Sequence, residues 1–225
     1  MMVYQMGGNP SRELFSVGGG GTDTYASMTE LMTNETAWEI KTTMFYTNTL
    51  ITAIHGGGIE VGCSELVDLA SDTAKKDSFS FYGNLSSGNS KLHVTSTNYD
   101  EPTLIRMVRR ADYVVAVHGA AGAEVKTLIG GLDLVNRQIM KEELLAAGFA
   151  VEDAPPNLAG MDTNNISNQG QRRMGVQLEL TTGQRKAFFV NGDSSRASRE
   201  NKENWLPSMY AYAQAISDAI DRFVY

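Results

Sequence analysis

Tyr113-Val114-Val115-Ala116-Val117 is an unbroken apolar run, and His118-Gly119 follows it at once. A run so short and so rich in β-branched residues suits a strand buried on both faces of a sheet. Upstream, Thr49-Leu50-Ile51-Thr52-Ala53-Ile54 ends in the same way, in His55-Gly56. Two buried strands that each run into His-Gly set the frame for the rest of the chain. Strands are also predicted over residues 37–43, 79–82, 92–95 and 174–180. Helices are predicted over 64–74, with Ser64 as N-cap, over 102–110, with Pro102 in the first turn, over 132–147, stopped by Gly148, and over 207–223. Tyr25, Met28, Leu31 and Met32 fall at helical spacing. Strands alternating with helices predict an α/β fold built on a largely parallel or mixed sheet.

The chain has 225 residues and suits one domain over 23–225, preceded by a flexible Gly-rich leader over 1–22 that contains Gly18-Gly19-Gly20-Gly21. A formal net charge of −7 argues against a nucleic-acid footprint. Arg109-Arg110, Arg172-Arg173 and Arg185-Lys186 are the dense basic pairs, each read as a solvated face. The one cysteine, Cys63, excludes an intrachain disulfide. With no signal peptide and no apolar run of membrane length, synthesis in the cytoplasm is expected, with lysis as a route outward.

The chemistry concentrates at the ends of the two strands. In open α/β sheets, ligands bind beyond the carboxyl ends of the strands, so His55 and His118 can converge. Gly56-Gly57-Gly58 lets the chain turn sharply and brings Glu60 back beside His55. Two imidazoles and one carboxylate leave a fourth zinc position open, the arrangement of a catalytic site. Glu60 also suits a solvated loop. Glu65 competes as a ligand, but an acid in the first turn of a helix complements the helix dipole. Glu179 interrupts the apolar strand 176–180, and alternation puts it on one face with Gln177. It is a candidate general base or, equally, part of a solvent-facing edge strand. Asn164, Asn165, Asn168, Arg172 and Arg173 form one polar loop, a seat for an anionic substrate or ordinary turn material.

His55-Gly-Gly-Gly-Ile-Glu60 with Ser64-Glu65 resembles the signature of the bacterial and bacteriophage poly-γ-glutamate hydrolases. The likeness continues through Ser87-Gly88-Asn89, residues 92–97, Asp100-Glu101-Pro102, Val117-His118-Gly119, Gly130-Gly131-Leu132-Asp133, Leu158-Ala159-Gly160, residues 165–168 and residues 175–180. It implies a three-layer sandwich with a mixed central sheet and a zinc carboxypeptidase-like core. It implies one zinc per chain held by His55, Glu60 and His118, Glu179 as the catalytic carboxylate, and hydrolysis of γ-glutamyl amide bonds; in a phage, such an enzyme would strip the host's polyglutamate capsule. His93, Asn165, Asn168 and Arg172 are the expected substrate contacts. Gln169 stands where the family pattern suggests Arg, a role Arg172 or Arg173 could fill. A monomer acting on an anionic polymer, with neither nucleic acid nor membrane as partner, is expected. The alternatives are a zinc amidase for a small acyl-glutamate or peptidoglycan-type amide, and a non-catalytic phage accessory binding protein. An acidic chain repels a polyanion, so a polyglutamate substrate requires a local positive groove.

Overall fold

The structure is a computed structural model that describes residues 23–224. The expected leader over 1–22 lies outside the described residues. The fold opens with helix α1 (Met28–Asn34), capped by Ser27, then strands β1 (Trp38–Thr43) and β2 (Thr49–Gly57). Helix α2 (Cys63–Ala74) leads to β3 (Asp77–Gly83), and α3 (Pro102–Val108) to β4 (Tyr113–Ala120). Next come β5 (Thr127–Gly130), α4 (Leu134–Ala146), β6 (Val151–Asp153) and β7 (Val176–Thr181). Two short helices, α5 (Thr182–Lys186) and α6 (Arg196–Arg199), precede the C-terminal α7 (Pro207–Asp221).

Among the described residues the strands form one seven-stranded mixed sheet in the order β1-β3-β2-β4-β7-β5-β6. The four central strands β3, β2, β4 and β7 run parallel, while β1 and β5 join antiparallel to them. Apolar side chains from α2, α4 and α7 cover one face, in a cluster that includes Leu66, Met140 and Tyr212. Met28, Leu31, Leu104 and Val108 of α1 and α3 pack with Leu92 and Val94 on the other. The result is the expected α/β sandwich: a sheet buried on both faces needs its helices in two layers.

Several expectations shift locally. Ser64 does not cap α2. Gly62 occupies that position, and Ser64 Oγ instead accepts from the Gly57 N–H at 2.9 Å and donates to Glu65 at 3.0 Å. Residues 92–95 are no strand. A 3-10 turn over Asn89–Leu92 runs into extended chain, and the alternation there reflects Leu92 and Val94 packing into the core. Strands β5 and β6 escape pattern reading because four and three residues are too few to show a period. Both histidines lie inside their strands, because pairing continues past the apolar runs to Gly57 and Ala120.

Candidate metal and catalytic site

The chain leaves β2 toward β3 on one side and comes back to β4 on the other. The crevice at the carboxyl ends of these neighbours is therefore a topological switch point. The register between β2 and β3 shifts between Ala53 and Gly56, so that a bulge falls at Ile54-His55. Bulges re-aim side chains next to functional sites. The loop then closes on itself: the Glu60 N–H donates to the His55 carbonyl at 2.8 Å. Gly57 makes that turn with φ +65°, and a Cβ there would stand 2.6 Å from the Gly83 carbonyl oxygen. Glu60 is thereby returned beside His55, with Nδ1 to Oε1 at 3.2 Å.

The hydrogen bonds fix the His55 tautomer. Its Nε2 lies 2.8 Å from the Val94 carbonyl, which can only accept, so Nε2 carries the hydrogen. Nδ1 then presents a lone pair to an ionised carboxylate. Two acceptors facing each other call for a cation, either a proton or a metal ion. Burial disfavours charge on this imidazole, yet the Glu60 carboxylate outweighs it and leaves the His55 pKa raised. Burial likewise opposes charge on Glu60, but His55 and then His118 draw its pKa down to about 2. Glu60 Oε2 accepts from the Gly119 N–H at 2.8 Å and lies 3.7 Å from His118 Nδ1. His118 is driven to about 4 by burial, and its ring makes no hydrogen bond to another described residue. It is a neutral, buried imidazole with ligand capacity to spare.

His93 stacks on His55, with ring centroids 4.0 Å apart. The Asp23 carboxylate accepts from its Nδ1–H at 2.6 Å and also from the Thr95 N–H at 2.7 Å, which leaves Nε2 as the lone-pair atom. Burial, with charge on His55 second, lowers the His93 pKa. A carboxylate holding the far nitrogen of an imidazole is the usual support of a metal ligand or an oriented site histidine. As they stand, His55, Glu60 and His93 offer ligand atoms within 4.8 Å of one another. The sequence singled out His118 rather than His93 for that set, and Glu60 reaches toward it with its second oxygen. Asp23 was not legible in the sequence, since nothing local links it to a histidine 70 positions away.

Glu179 sits level with His118, its register partner across β4 and β7. Strand β7 is flanked by β4 and β5, so Glu179 is buried and not on a solvent-facing edge. Burial, with Glu60 nearby, raises its carboxyl to about 8. Gln177 Nε2 donates to Glu179 Oε1 at 2.8 Å, and Asn165 Nδ2 donates to Gln177 Oε1 at 2.9 Å. Asn168 is tied to the carbonyls of Gly160 and Asp162 and to the Gly175 N–H. Arg172 pairs with Asp133, the N-cap of α4. Both Asn amides and the Arg172 guanidinium therefore engage the protein itself. Gln169 reaches the Asn164 carbonyl at an exposed position.

Arg185 corrects the expectation of a solvated basic pair. It is 7% exposed, and its guanidinium donates to the carbonyls of Leu180 (3.1 Å), Val61 (3.0 Å) and Ala120 (3.2 Å). It thus staples the loop behind Glu60 to the ends of β4 and β7. Gly119 makes room for it: a Cβ there would meet Arg185 Cζ at 2.8 Å and Glu60 Cβ at 3.0 Å. Glu65 lies in the first turn of α2 as the dipole reading expects, but it is buried, 6% exposed, and pairs with Arg199 at 3.0 Å.

A sequence profile of the poly-γ-glutamate hydrolases matches residues 24–215. The chain belongs to the poly-γ-glutamate hydrolase family. A bacteriophage poly-γ-glutamate hydrolase of known structure is 36% identical to this member, with TM-score 0.85 over 89% of this chain and 97% of that one. A structure of YndL in a zinc-free apo form is 33% identical, with TM-score 0.82 over 89% and 98% of the two chains. YmaC of Bacillus subtilis (strain 168) is 35% identical over 89% of this chain and 85% of its own length. The prophage-derived YoqZ of the same strain is 36% identical over 90% of this chain and 73% of its own. The poly-γ-glutamate hydrolase fold thus extends across almost all the described residues. Among them no helix is long and apolar enough to cross a membrane.

Proposed function

We propose that this protein is a zinc-dependent hydrolase that cleaves the γ-glutamyl amide bonds of poly-γ-glutamate. One observation carries it: in a member of this family, the lone pair of His55 faces the Glu60 carboxylate at 3.2 Å beside a neutral His118. That donor set suits a small dication better than a proton, because two nitrogens and a carboxylate complete a three-ligand site with one place left open. His55, Glu60 and His118 would hold the ion, and His93, steadied by Asp23, stands at the rim to meet the substrate. When bound, zinc supplies Lewis acidity for the scissile carbonyl and lowers the pKa of a coordinated water.

The chain's own residues do the rest. Glu179 takes the proton from the attacking water at its Oε2, because Oε1 is already held by Gln177. It returns that proton to the nitrogen of the departing amine. A carboxyl at about 8 without an ion is a poor base at neutral pH. A nearby dication pulls such a group down into the range where it accepts. Arg185 keeps the Glu60 loop and the ends of β4 and β7 in fixed relation while this happens.

The test joins metal analysis with chain-length analysis of poly-γ-glutamate, with and without a chelator. About one zinc per chain and chelator-sensitive shortening of the polymer are expected. Zinc without shortening would move the substrate to a small amide; shortening that survives complete metal removal would end the zinc mechanism.

A further inference from the structure

A cavity of about 260 Å³ lies against Gly58, within the loop that joins His55 to Glu60. Three segments wall it: that loop, the stretch after β3, and the stretch that runs into α6. Its polar wall includes Asn84, Ser86, Ser194, Arg196 and Arg199, and no carboxylate lines it among the described residues. Two arginines, Arg196 and Arg199, thus share one cavity in an acidic chain.

Arg199 is 3% exposed. Its Nε stands 3.0 Å from Glu65 Oε1 but off the line of its N–H, so the pair is held by charge without an aligned hydrogen bond. Its Nη1 and Nη2 donate to no other described residue and, unlike Nε, are not sealed from solvent. A guanidinium whose stem is buried and whose fork opens into a cavity has donors free for a ligand. That fork has the spacing to grip a carboxylate through two parallel hydrogen bonds. Arg196 adds a second cation at the mouth. Its present partner, Glu200, is exposed at 2.7 Å, and such surface pairs cost little to release.

We infer that this cavity is a carboxylate subsite, the seat of the free α-carboxylate of a glutamyl unit next to the bond being cut. The inference rests on the polyglutamate substrate proposed above. Every unit of that polymer carries such a group, so one subsite at a fixed distance from the histidines sets which amide faces them. It also supplies the local positive charge that an acidic protein needs to hold a polyanion.

The test compares initial rates on poly-γ-glutamate and on the same polymer with its α-carboxylates methylated, for wild type and Arg199→Lys. Lysine keeps a charge opposite Glu65 and loses the fork. For wild type, methylation should raise KM roughly tenfold or more, against the direction in which overall charge repulsion acts. Arg199→Lys should raise KM on the acid polymer by about tenfold, leave kcat within about twofold, and lose most of the preference. The paired variant Glu65→Gln/Arg199→Gln, which removes both charges together, should behave alike with a cooperative melt. Folded variants that keep the wild-type KM and preference would overturn the subsite. Equal KM for both polymers in wild type would do the same while leaving the hydrolase intact. Cleavage of neither polymer by zinc-loaded wild type would remove the polyglutamate substrate itself.

Discussion

Gln177 donates to Glu179 from the same face of β7, Nε2 to Oε1 at 2.8 Å, and its orientation is fixed from outside the pair. Gln177 Nε2 also faces the Leu158 carbonyl at 3.2 Å, which can only accept. At the other end, the Ser167 N–H can only donate, so it fixes the acceptor oxygen of Asn165 at 3.0 Å. Asn165 must then turn its Nδ2 to Gln177. Two backbone groups thus set the polarity of the whole chain and keep Glu179 Oε1 an acceptor. Asn165→Asp replaces one atom and reverses that polarity. We expect kcat to fall by about 10- to 100-fold, with KM and metal content near wild type. A variant with wild-type kcat would show that the chain only packs the core.

Glu179→Gln should retain its metal and lose activity by ~10²–10⁴-fold, since a carboxamide cannot carry a proton between water and amine. Metal analysis beside chain-length assays checks both halves. Activity within a few-fold of wild type would remove Glu179 from the reaction.

The same carboxyl should mark the pH profile of the metal-free protein. Its folded pKa, about 8, lies above its ordinary value of 4.5. The stability it contributes is therefore complete below about 4.5 and is lost as pH rises through about 8. Melting of the apo protein should decline over that window more steeply in wild type than in Glu179→Gln. Parallel profiles for the two proteins would contradict the raised value.

His118→Ala and His93→Ala separate the two ways of completing the ligand set. Loss of zinc is expected for the first. For the second, zinc should stay and KM rise. The reverse pattern would make His93, supported by Asp23, the third ligand and His118 the substrate contact.

Arg185→Met should destabilise the protein by about 3 kcal/mol or more, because the buried carbonyls of Leu180 and Ala120 lose their donor and the half-buried Val61 carbonyl loses its tie to the strands. Denaturant titration reads this directly. A change below about 1 kcal/mol would mean that the staple contributes little beyond what the strands already provide.

The fold was legible where the period was long or the apolar run continuous. Thr49–Gly57 and Tyr113–Ala120 stand out because a strand covered on both faces is apolar along most of its length. The histidines were legible for the same reason, as the first polar residues past those runs. Glu179 was legible as a charge inside a strand. Arg185, Arg199 and Asp23 were not, since each gains its role from partners far along the chain. A basic pair reads as solvated until the carbonyls of Leu180, Val61 and Ala120 are seen to converge on it. The amides of Asn165 and Asn168 were legible as a polar loop, but not their direction, which depends on Gln177, Gly160 and Gly175.

The bond from Arg185 to the Val61 carbonyl spans 124 positions of sequence. During synthesis, the loop that bears Glu60 leaves the ribosome long before the residue that pins it. Closing so wide a loop is entropically costly, and such contacts form late in folding. A nascent or truncated chain that stops before α5 can pair β2 with β3 and turn Glu60 back to His55, yet it leaves the Val61 carbonyl behind that loop unpinned. The rigidity of that loop is then conferred by residues that follow β7.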